Sequence, residues 1–529
     1  MQPILSVPGS FSFGRNKTYA YVDNIDITNV KSVVETSYNN FSPVQKDIQW
    51  LFELYRGKDI RILDNNKNST INANYKAIVN YFALINDVKS GIFLQNDGIL
   101  VNRSMNKALA KELKKVQDKQ NLANIFARHK EAILHAAICG VGYTFIEPNL
   151  AYIYDKSVCP FNISILSPEN VMLIYGDDSK EKPLATVYIN RVPKGFIGGA
   201  DFTGETIIPN LYNMANKYTV YTDTTKFTFF ANEAYASGVK QSVITEPLPS
   251  YGCPITQYRL NSFMIGVAER VENLCHTLSV LTSNRVNNVE QIIQSILVIK
   301  NSGFPLGDSE EDEEKRQSFK KRLQELMMLM VEENNKDTQF NAQYISPQLS
   351  QSDVQNLYET VINDIISIAQ IPQGVINIGG SGNTGAAQTA SGWSNALVDA
   401  INSEPFVAES MLEELDKQIK ILKKNDIIKN LSIEDIDIKF TRRSYENKTE
   451  SSATFVTLTS NGVPFGRAAE ISNLVTEPNL LEQEMLEWRE QEEKRVENKS
   501  NIPMLDAKGE PMTEEIGVEK TENLMEENV

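Results

Sequence analysis

Histidine and cysteine are scarce in this sequence, and cationic residues are outnumbered. The 529 residues hold three histidines, His129, His135 and His276, and four cysteines, Cys139, Cys159, Cys253 and Cys275. No C-x-x-C pair occurs, so neither a zinc site nor a disulfide frame is expected, and the thiols read as buried groups of a reducing compartment. No apolar run reaches the ~18–20 residues of a membrane span, so no membrane is expected as a partner. The opening MQPILSVPGSFSFGRN lacks a charged segment leading into a long apolar one, which argues against secretion. Lys and Arg number 52 against 68 Asp and Glu, a net charge of −16. An acidic body argues against a tight, static grip on nucleic acid, which needs cations on the phosphates. It does not argue against a protein past which DNA slides.

The charge is uneven. Residues 481–529 carry 15 acidic and 6 basic residues. From about Glu490 the chain is Glu-rich, nearly free of aromatics and broken by Pro503 and Pro511, a composition expected of a disordered tail. Upstream, 41% hydrophobic content is ordinary for a globular protein long enough for several cores.

Periodicity divides the body. PVQKDIQWLFELYRG (43–57) predicts an amphipathic helix stopped by Gly57, followed by a strand DIRIL and a polar linker. Helical spacing recurs over 75–87 and 104–136, with Gly140 and Gly142 as terminators. From 143 to about 245, the runs YTFIEP, AYIYD, FNISIL, VMLIYG, ATVYIN, KYTVYT and KFTFFAN predict meandering strands. After the strand PITQYRL, some 35 residues are helical, with Val267, Val271, Leu274, Leu278 and Leu281 on one face and Val286, Val289, Ile292 and Ile293 further on. The strand ILVIK follows, then a helix DSEEDEEKRQSFKKRLQELMMLMVEEN, capped by Asp308 or Ser309, then the strand FNAQYIS. Ser350 and Asp353 suggest a capping box for the next helix, whose stripe is Val354, Leu357, Val361, Ile365 and Ile368 and which ends before Pro372. A long helix from about Thr389 to Lys424 should kink at Pro405, IDIKFTR is a strand, and 446–495 is a small helical region. The fold class expected is α+β.

Between the last two large helices lies INIGGSGNTGAAQTASGW (376–393). Its glycines imitate a phosphate-binding loop, but Ala386 and Ala387 stand where Lys and Ser/Thr must be, and a helix pattern, not a strand, precedes it. His135 and Cys139 could pair as base and nucleophile, yet nothing nearby supplies an oxyanion hole or an orienting carboxylate. The plainer reading is two packed helix residues. Carboxylates fall on helix surfaces and in the tail. No catalytic residue, cofactor site or metal site is expected.

The order of elements resembles the portal proteins of tailed bacteriophages, especially long-tailed phages of Gram-positive hosts. The likeness runs to about residue 495. ELYRGKDIRIL with NANYKAIVNYF, HAAICGVGYTFIEP, ILSPENVMLIYGDD with its Pro-Glu-Asn turn, CPITQYRLN, and TRRSYENKTESSATFVTLTSNGVPF carry it by order and spacing. An unusually acidic clip helix and a long acidic tail depart from the family pattern.

The resemblance implies a dodecameric ring around a channel at one capsid vertex, in the virion and, during assembly, in the host cytoplasm. It implies a β-rich wing over 1–260, a stem of helices at 261–295 and 351–371, and a clip at 296–350. A tunnel loop would occupy 372–388, a long kinked helix with a returning wing strand 389–445, a crown 446–495, and the acidic tail 496–529. Gly379, Gly380, Ser381, Gly382, Asn383, Thr384 and Gly385 would line the channel, where glycine lets the backbone change shape at little steric cost. Glu310, Glu311, Asp312, Glu313, Glu314, Lys315 and Arg316 would offer the clip's partner surface, although such a charge run also reads as a solvated helix face. The implied partners are double-stranded DNA bound without sequence preference, the terminase large subunit, a head–tail adaptor, and the major capsid and scaffolding proteins. Two other readings remain at this stage. One is a virion structural protein without a channel, such as a baseplate or scaffold component, and the other a nucleotide-binding enzyme built on 376–390. The loop itself also reads as a plain helix–helix connector.

Overall fold

The computed structural model describes residues 15–64, 74–95, 98–103, 106–177, 182–193, 214–231, 243–293, 296–300, 328–331, 341–345, 351–372, 394–440 and 448–472, with 485 and 488. The chain divides into two units, Met1–Arg442 and Arg443–Val529. Helices and sheets mix throughout the first, as an α+β chain requires.

Strand β1 (Lys17–Tyr19) precedes helix α1 (Val30–Tyr55). The helix starts well before the expected position 43, and Pro43 lies inside it. Proline deprives the residue four earlier of a donor. Here that residue is Asn39, which is exposed, so its carbonyl can turn to water. Val30, Val33, Val34, Phe41, Ile48, Leu51 and Leu54 form the buried stripe, and Gly57 at φ +79 turns the chain away. The expected strand DIRIL is instead a single helical turn, α2 (Ile60–Leu63). Asp59 causes this, since its carboxylate accepts from Arg61 N at 3.1 Å and from Arg61 Nε at 3.0 Å.

Helix α3 (Tyr81–Phe93) is capped by Asn80, whose side chain accepts from Ala83 N at 3.0 Å, so residues 75–80 of the expected helix are extended. Strand β2 (Ile99–Asn102) leads to α4 (Lys107–Leu122) and α5 (Ile125–Cys139), where one helix over 104–136 is expected. Asn124 at φ 51 makes the break. Gly140, at φ +87, ends α5.

Strands β3 (Val141–Pro148), β4 (Phe161–Leu166) and β10 (Ile255–Arg259) form a three-stranded antiparallel sheet in the order β10-β3-β4. The expected strand AYIYD is a 3-10 turn, Leu150–Ile153, locked by Asn149. The Asn149 side chain accepts from Ala151 N and donates to Cys159 O. Pro168–Asn170 is likewise a 3-10 turn, between β4 and β5 (Val171–Tyr175). With β6 (Ala185–Pro193), β7 (Met214–Tyr221), β8 (Thr225–Phe230) and β9 (Ile244–Pro247), β5 builds a six-stranded sheet in the order β1-β5-β6-β7-β8-β9. Only β1 pairs in parallel, with β5. The inward Met172, Ile174, Val187, Ile189, Tyr218, Val220, Phe227 and Phe229 pack against α1.

Helix α6 is Glu272–Ile293, shorter than the expected helical stretch because Asn261–Ala268 is a turn held by side chains. Asn261 both accepts from Ile265 N and donates to Ile265 O. Strands β11 (Ile296–Lys300), β12 (Met328–Val331) and β13 (Asn341–Ile345) form a small sheet with β11 central, parallel to β12 and antiparallel to β13. The expected helix over 308–334 therefore does not reach its end, because Met328–Val331 is an apolar run used as a strand. Helix α7 (Gln351–Ala369), helix α8 (Ser394–Lys424) and strand β14 (Ile436–Lys439) complete the unit. β14 pairs antiparallel with β2, returning the chain to its N-terminal part. Pro405 lies inside α8, and the residue whose donor it removes, Ile401, is 53% exposed, the same arrangement as at Pro43.

The second unit contributes α9 (Lys448–Ser460) and α10 (Phe465–Ile471). Gly462 at φ +81 makes the turn, and Phe455 meets Phe465 edge-on at 5.1 Å.

Where α5 passes into β3, backbones approach closely. A Cβ at Gly142 would lie 2.0 Å from Ala132 O, and one at Gly140 would lie 1.9 Å from Met264 O. Backbone atoms cannot swing aside as side-chain ends do. Gly142→Ala is expected to cost about 2–3 kcal/mol, the upper part of the overpacking range, read as a lower urea midpoint without a change in slope.

Candidate functional site

The loop residues Gly379, Gly380, Ser381, Gly382, Asn383, Thr384 and Gly385 lie outside the described residues, as do Glu310, Glu311, Asp312, Glu313, Glu314, Lys315 and Arg316. Asp308, Ser309 and Ser350, the expected caps, lie outside them too, as does the tail from 489 onward. What the structure shows is the frame that delivers the chain to the loop. Helix α7 ends at Ala369, Gln370 takes φ 52, and Ile371 and Pro372 are buried. The chain is described again where α8 begins at Ser394.

Helices α6 and α7 share one core. Val271, just before α6, and Cys275 and Leu278 within it meet Val361, Ile365 and Ala369 of α7, with Ile48, Leu51 and Phe82 beneath. Leu357 and Ile368, expected in the α7 stripe, are each 50% exposed. The buried face is turned slightly from the expected stripe: Tyr358, Ile362 and Ala369, each one residue past an expected position, pack into the core.

An extended segment lies along α6. Tyr75 N donates to Asn287 Oδ1 at 2.7 Å, Ala77 N to Ser283 Oγ at 2.9 Å, and Val79 N to Ser279 Oγ at 3.1 Å. Asn287 Nδ2 returns a bond to Tyr75 O at 3.2 Å, and the Ser283 hydroxyl lies 3.0 Å from Ala77 O. The spacing explains the match. Two residues of extended chain advance about 6.6 Å, and four residues of helix advance about 6.0 Å. A polar residue at every fourth helix position thus meets every second peptide. Ser279, Ser283 and Asn287 look like solvated positions in the sequence, yet all three are buried.

The first turn of α6 is fixed by ions. Arg61 binds Asp59 at 2.9 Å and also Glu272, while His276 Nδ1 lies 2.8 Å from Asp59 Oδ2. Burial pushes the Asp59 carboxyl up, but hydrogen bonds from Arg61 and His276 and their charges outweigh it, so its pKa is lowered. The Arg61 guanidinium also stacks 5.3 Å from the Trp50 ring centre.

Helix α8 is held through its buried polar face. Lys89 of α3, 1% exposed, binds Asp399 at 2.7 Å. Glu414, also 1% exposed, lies 3.2 Å from His129 Nε2 of α5. It accepts from Thr144 Oγ1 of β3 at 2.5 Å, Tyr258 OH of β10 at 2.9 Å and Gln418 Nε2 at 3.1 Å. Burial raises its pKa, and His129 with these donors lowers it further than burial raises it. One turn on, Lys417 Nζ spends its three protons on Ile255 O, Thr256 Oγ1 and Glu413, all within 2.8 Å.

None of this is reaction chemistry. Cys139, Cys159 and Cys275 are buried free thiols, and Cys253 is half-buried where a buried thiol is expected. The single Cys139 S–H proton has the carbonyls of His135 at 3.3 Å and Val141 at 3.2 Å as acceptors, and burial pushes the thiol up to about 12. His135 is packed edge-on against Phe52 at 5.2 Å, and burial lowers its pKa. No group of three or more His, Cys, Asp or Glu able to hold a metal occurs among the described residues. A cavity of about 480 Å³ between β5–β7, β10 and α8 is lined by Tyr143, Tyr175, Arg259 and Glu409 among others, and Arg259 and Glu409 are paired with each other at 2.7 Å.

A family model described as phage portal protein, SPP1 Gp6-like, matches residues 44–498. No curated protein matches the chain.

Two substitutions test the frame. Ser283→Ala removes the partner of the Ala77 peptide and should cost about 1–2 kcal/mol, with faster hydrogen exchange at the Ala77 amide. Glu414→Gln should cost about 3 kcal/mol at neutral pH by breaking a buried charged network. Because the folded-state pKa of Glu414 lies below its ordinary 4.5, its contribution is present above that value and is lost as pH falls through the lowered one. The stability gap between wild type and variant, read from urea midpoints, should therefore close on acidification.

Proposed function

Because the chain belongs to the SPP1 Gp6-like family of phage portal proteins, we propose that it assembles into a dodecameric ring whose channel, at one capsid vertex, carries double-stranded DNA during packaging and ejection. The observation that carries this reading is the family match, which spans 44–498. It takes in the β-rich part, both paired helices, the small mixed sheet between them, the Gly-rich segment and α8. The family is structural and not enzymatic, and no described helix is long and apolar enough to cross a membrane.

Within this reading 1–260 is the wing, 261–295 and 351–371 are the stem, 296–350 the clip, 389–445 the long helix and returning strand, and 446–495 the crown. The host is a Gram-positive bacterium and the virion long-tailed. The terminase large subunit docks on the clip and a head–tail adaptor replaces it, with 310–316 at that surface. Capsid and scaffolding proteins surround the ring. Parallel strands need a long crossover, and the acidic helical pattern that begins at Asp308 has the length and polarity of one between β11 and β12. Exposed apolar side chains on the stem and long helix suit contact between copies: Val286 of α6 (40% exposed), Leu357 and Ile368 of α7, and Val398 of α8 (54% exposed). Heterologous contacts of this kind must close into a ring or grow into filaments.

Residues 379–385 line the channel and meet DNA through adaptable backbone, hydroxyl and amide groups without charge pairing. Gly380→Val with Gly382→Val should stiffen the loop, since β-branched residues resist φ > 0. Asn383→Lys should place a ring of cations on moving phosphates and slow passage, less so as salt rises. The test has two readings. End-on micrographs of purified protein should show closed rings for wild type and both variants, and packaging into procapsids should fall in both variants. Monomers at high concentration would count against the ring, and wild-type packaging by both variants would make the segment a plain connector.

A further inference from the structure

The net charge of −16 conceals a cationic surface. Residues 107–122 and 420–430 together hold nine lysines against three carboxylates. The fold brings these stretches together. Leu113 and Val116 of α4 share a core with Ile419, Leu422 and Ile428 at the end of α8 and beyond. Glu112 Oε2 accepts from Leu431 N at 2.9 Å, Asn430 N at 3.0 Å and Lys429 N at 3.3 Å, and Lys115 Nζ donates to Ile427 O at 3.2 Å.

That geometry leaves Lys111, Lys114, Lys115, Lys423, Lys424 and Lys429 exposed on elements packed side by side. Lys420 is answered by Asp416 at 2.6 Å, but these six form no ion pair among the described residues. Of the three carboxylates in these stretches, Glu112 is occupied by backbone N–H groups, while Asp118 and Asp426 are exposed. Burial raises the pKa of Glu112, and the bonds from Leu431, Asn430 and Lys429 together with the charge of Lys115 lower it further than burial raises it. In a chain with acidic residues to spare, six exposed lysines set against Glu112, Asp118 and Asp426 are not the average solvated face. Lys423 and Lys424 do suit the C-terminal end of α8, but that does not account for Lys111, Lys114 and Lys115 beside them.

We propose that this surface binds the phosphate backbone of duplex DNA without sequence preference, as a contact separate from the channel. The chemistry favours a polyphosphate over an acidic protein. All six cations are lysines, point charges without the planar fork that selects a single carboxylate. Leu122, further along α4, is the one large apolar side chain exposed on that helix, a single anchor where protein interfaces draw their affinity from a cluster of them. A polyelectrolyte needs none, because each neutralised phosphate releases condensed counterions. The inference does not depend on the ring reading, since it rests on α4 and the end of α8 alone.

The experiment uses the full chain and a small covalently closed circular duplex of mixed sequence. A closed circle cannot thread a closed ring, so binding reports an outer surface whatever the channel does. Wild type should bind with an affinity that falls steeply with salt. A quadruple variant, Lys111→Gln, Lys114→Gln, Lys423→Gln and Lys424→Gln, should lose at least about tenfold at low salt, and its log–log salt slope should shrink by roughly 3–4. A control with the same loss of charge, Lys46→Gln, Lys58→Gln, Lys182→Gln and Lys439→Gln, should keep the wild-type slope. Circular dichroism and melting establish that both fold. No binding by wild type, full binding by the first variant, an equal loss in the control, or capture of polyglutamate in place of the duplex would each overturn the proposal.

Discussion

The carboxylate of Glu414 is the contact on which the larger unit turns. It is charged, almost fully buried, and bonded to groups from α5, β3 and β10. A charge in such a place costs several kcal/mol unless every lone pair is met, so the four donors around it are conditions for the fold and not embellishments. Lys417, one turn along, applies the same rule with the opposite sign, and Lys89 with Asp399 applies it near the other end of the helix. Three ionic contacts along one helix therefore set its rotation and its position along its axis. An apolar face alone would allow α8 to slide or rotate with little penalty, since hydrophobic burial has no direction.

The helix that leads into the small mixed sheet is fixed by other means. Alternate peptides of 75–79 meet every fourth residue of α6, and the near equality of the two repeats makes the register definite. Arg61, Asp59, His276 and Glu272 lock the first turn. The described ends of the Gly-rich segment thus belong to helices with little freedom: α7 shares its core with α6, and α8 is pinned by buried ions. The contacts that hold both helices among the described residues come from outside 373–393.

Strands with β-branched and aromatic runs were legible in the sequence, and so were helix ends marked by glycine, because those signals are local. Errors fell where a single polar side chain outweighed propensity. DIRIL has the composition of a strand, but Asp59 caps it into a turn, and Asn149 does the same to AYIYD. The start of α1 was hidden by Pro43, which reads as a boundary unless the carbonyl it orphans is known to face water. Glu414, Lys417 and the Ser279–Asn287 stripe were illegible for a deeper reason. A charged or hydroxyl residue on a helix looks solvated until its partner is seen, and these partners are more than 150 residues away in the chain. The loop and clip residues were legible only as composition and family likeness.

Charge distribution gives the last step. Between Asp364 and Asp399 no residue is charged, and the Gly-rich segment lies in the middle of that interval. A polyanion moving past such a stretch meets neither attraction that would trap it nor strong repulsion that would stop it. The lysines of α4 and the end of α8 are the converse, nine cations against three carboxylates, of which Glu112 is already engaged by backbone N–H groups. Averaged over the chain these features cancel into an acidic total, so net charge alone does not describe the local fields. Strength of attraction to phosphate depends on how many cations reach it at once, not on the sign of the whole molecule, because solvent ions screen everything beyond about 8–10 Å. A neutral stretch and a basic face can therefore coexist on one acidic protein and treat the same polymer in opposite ways.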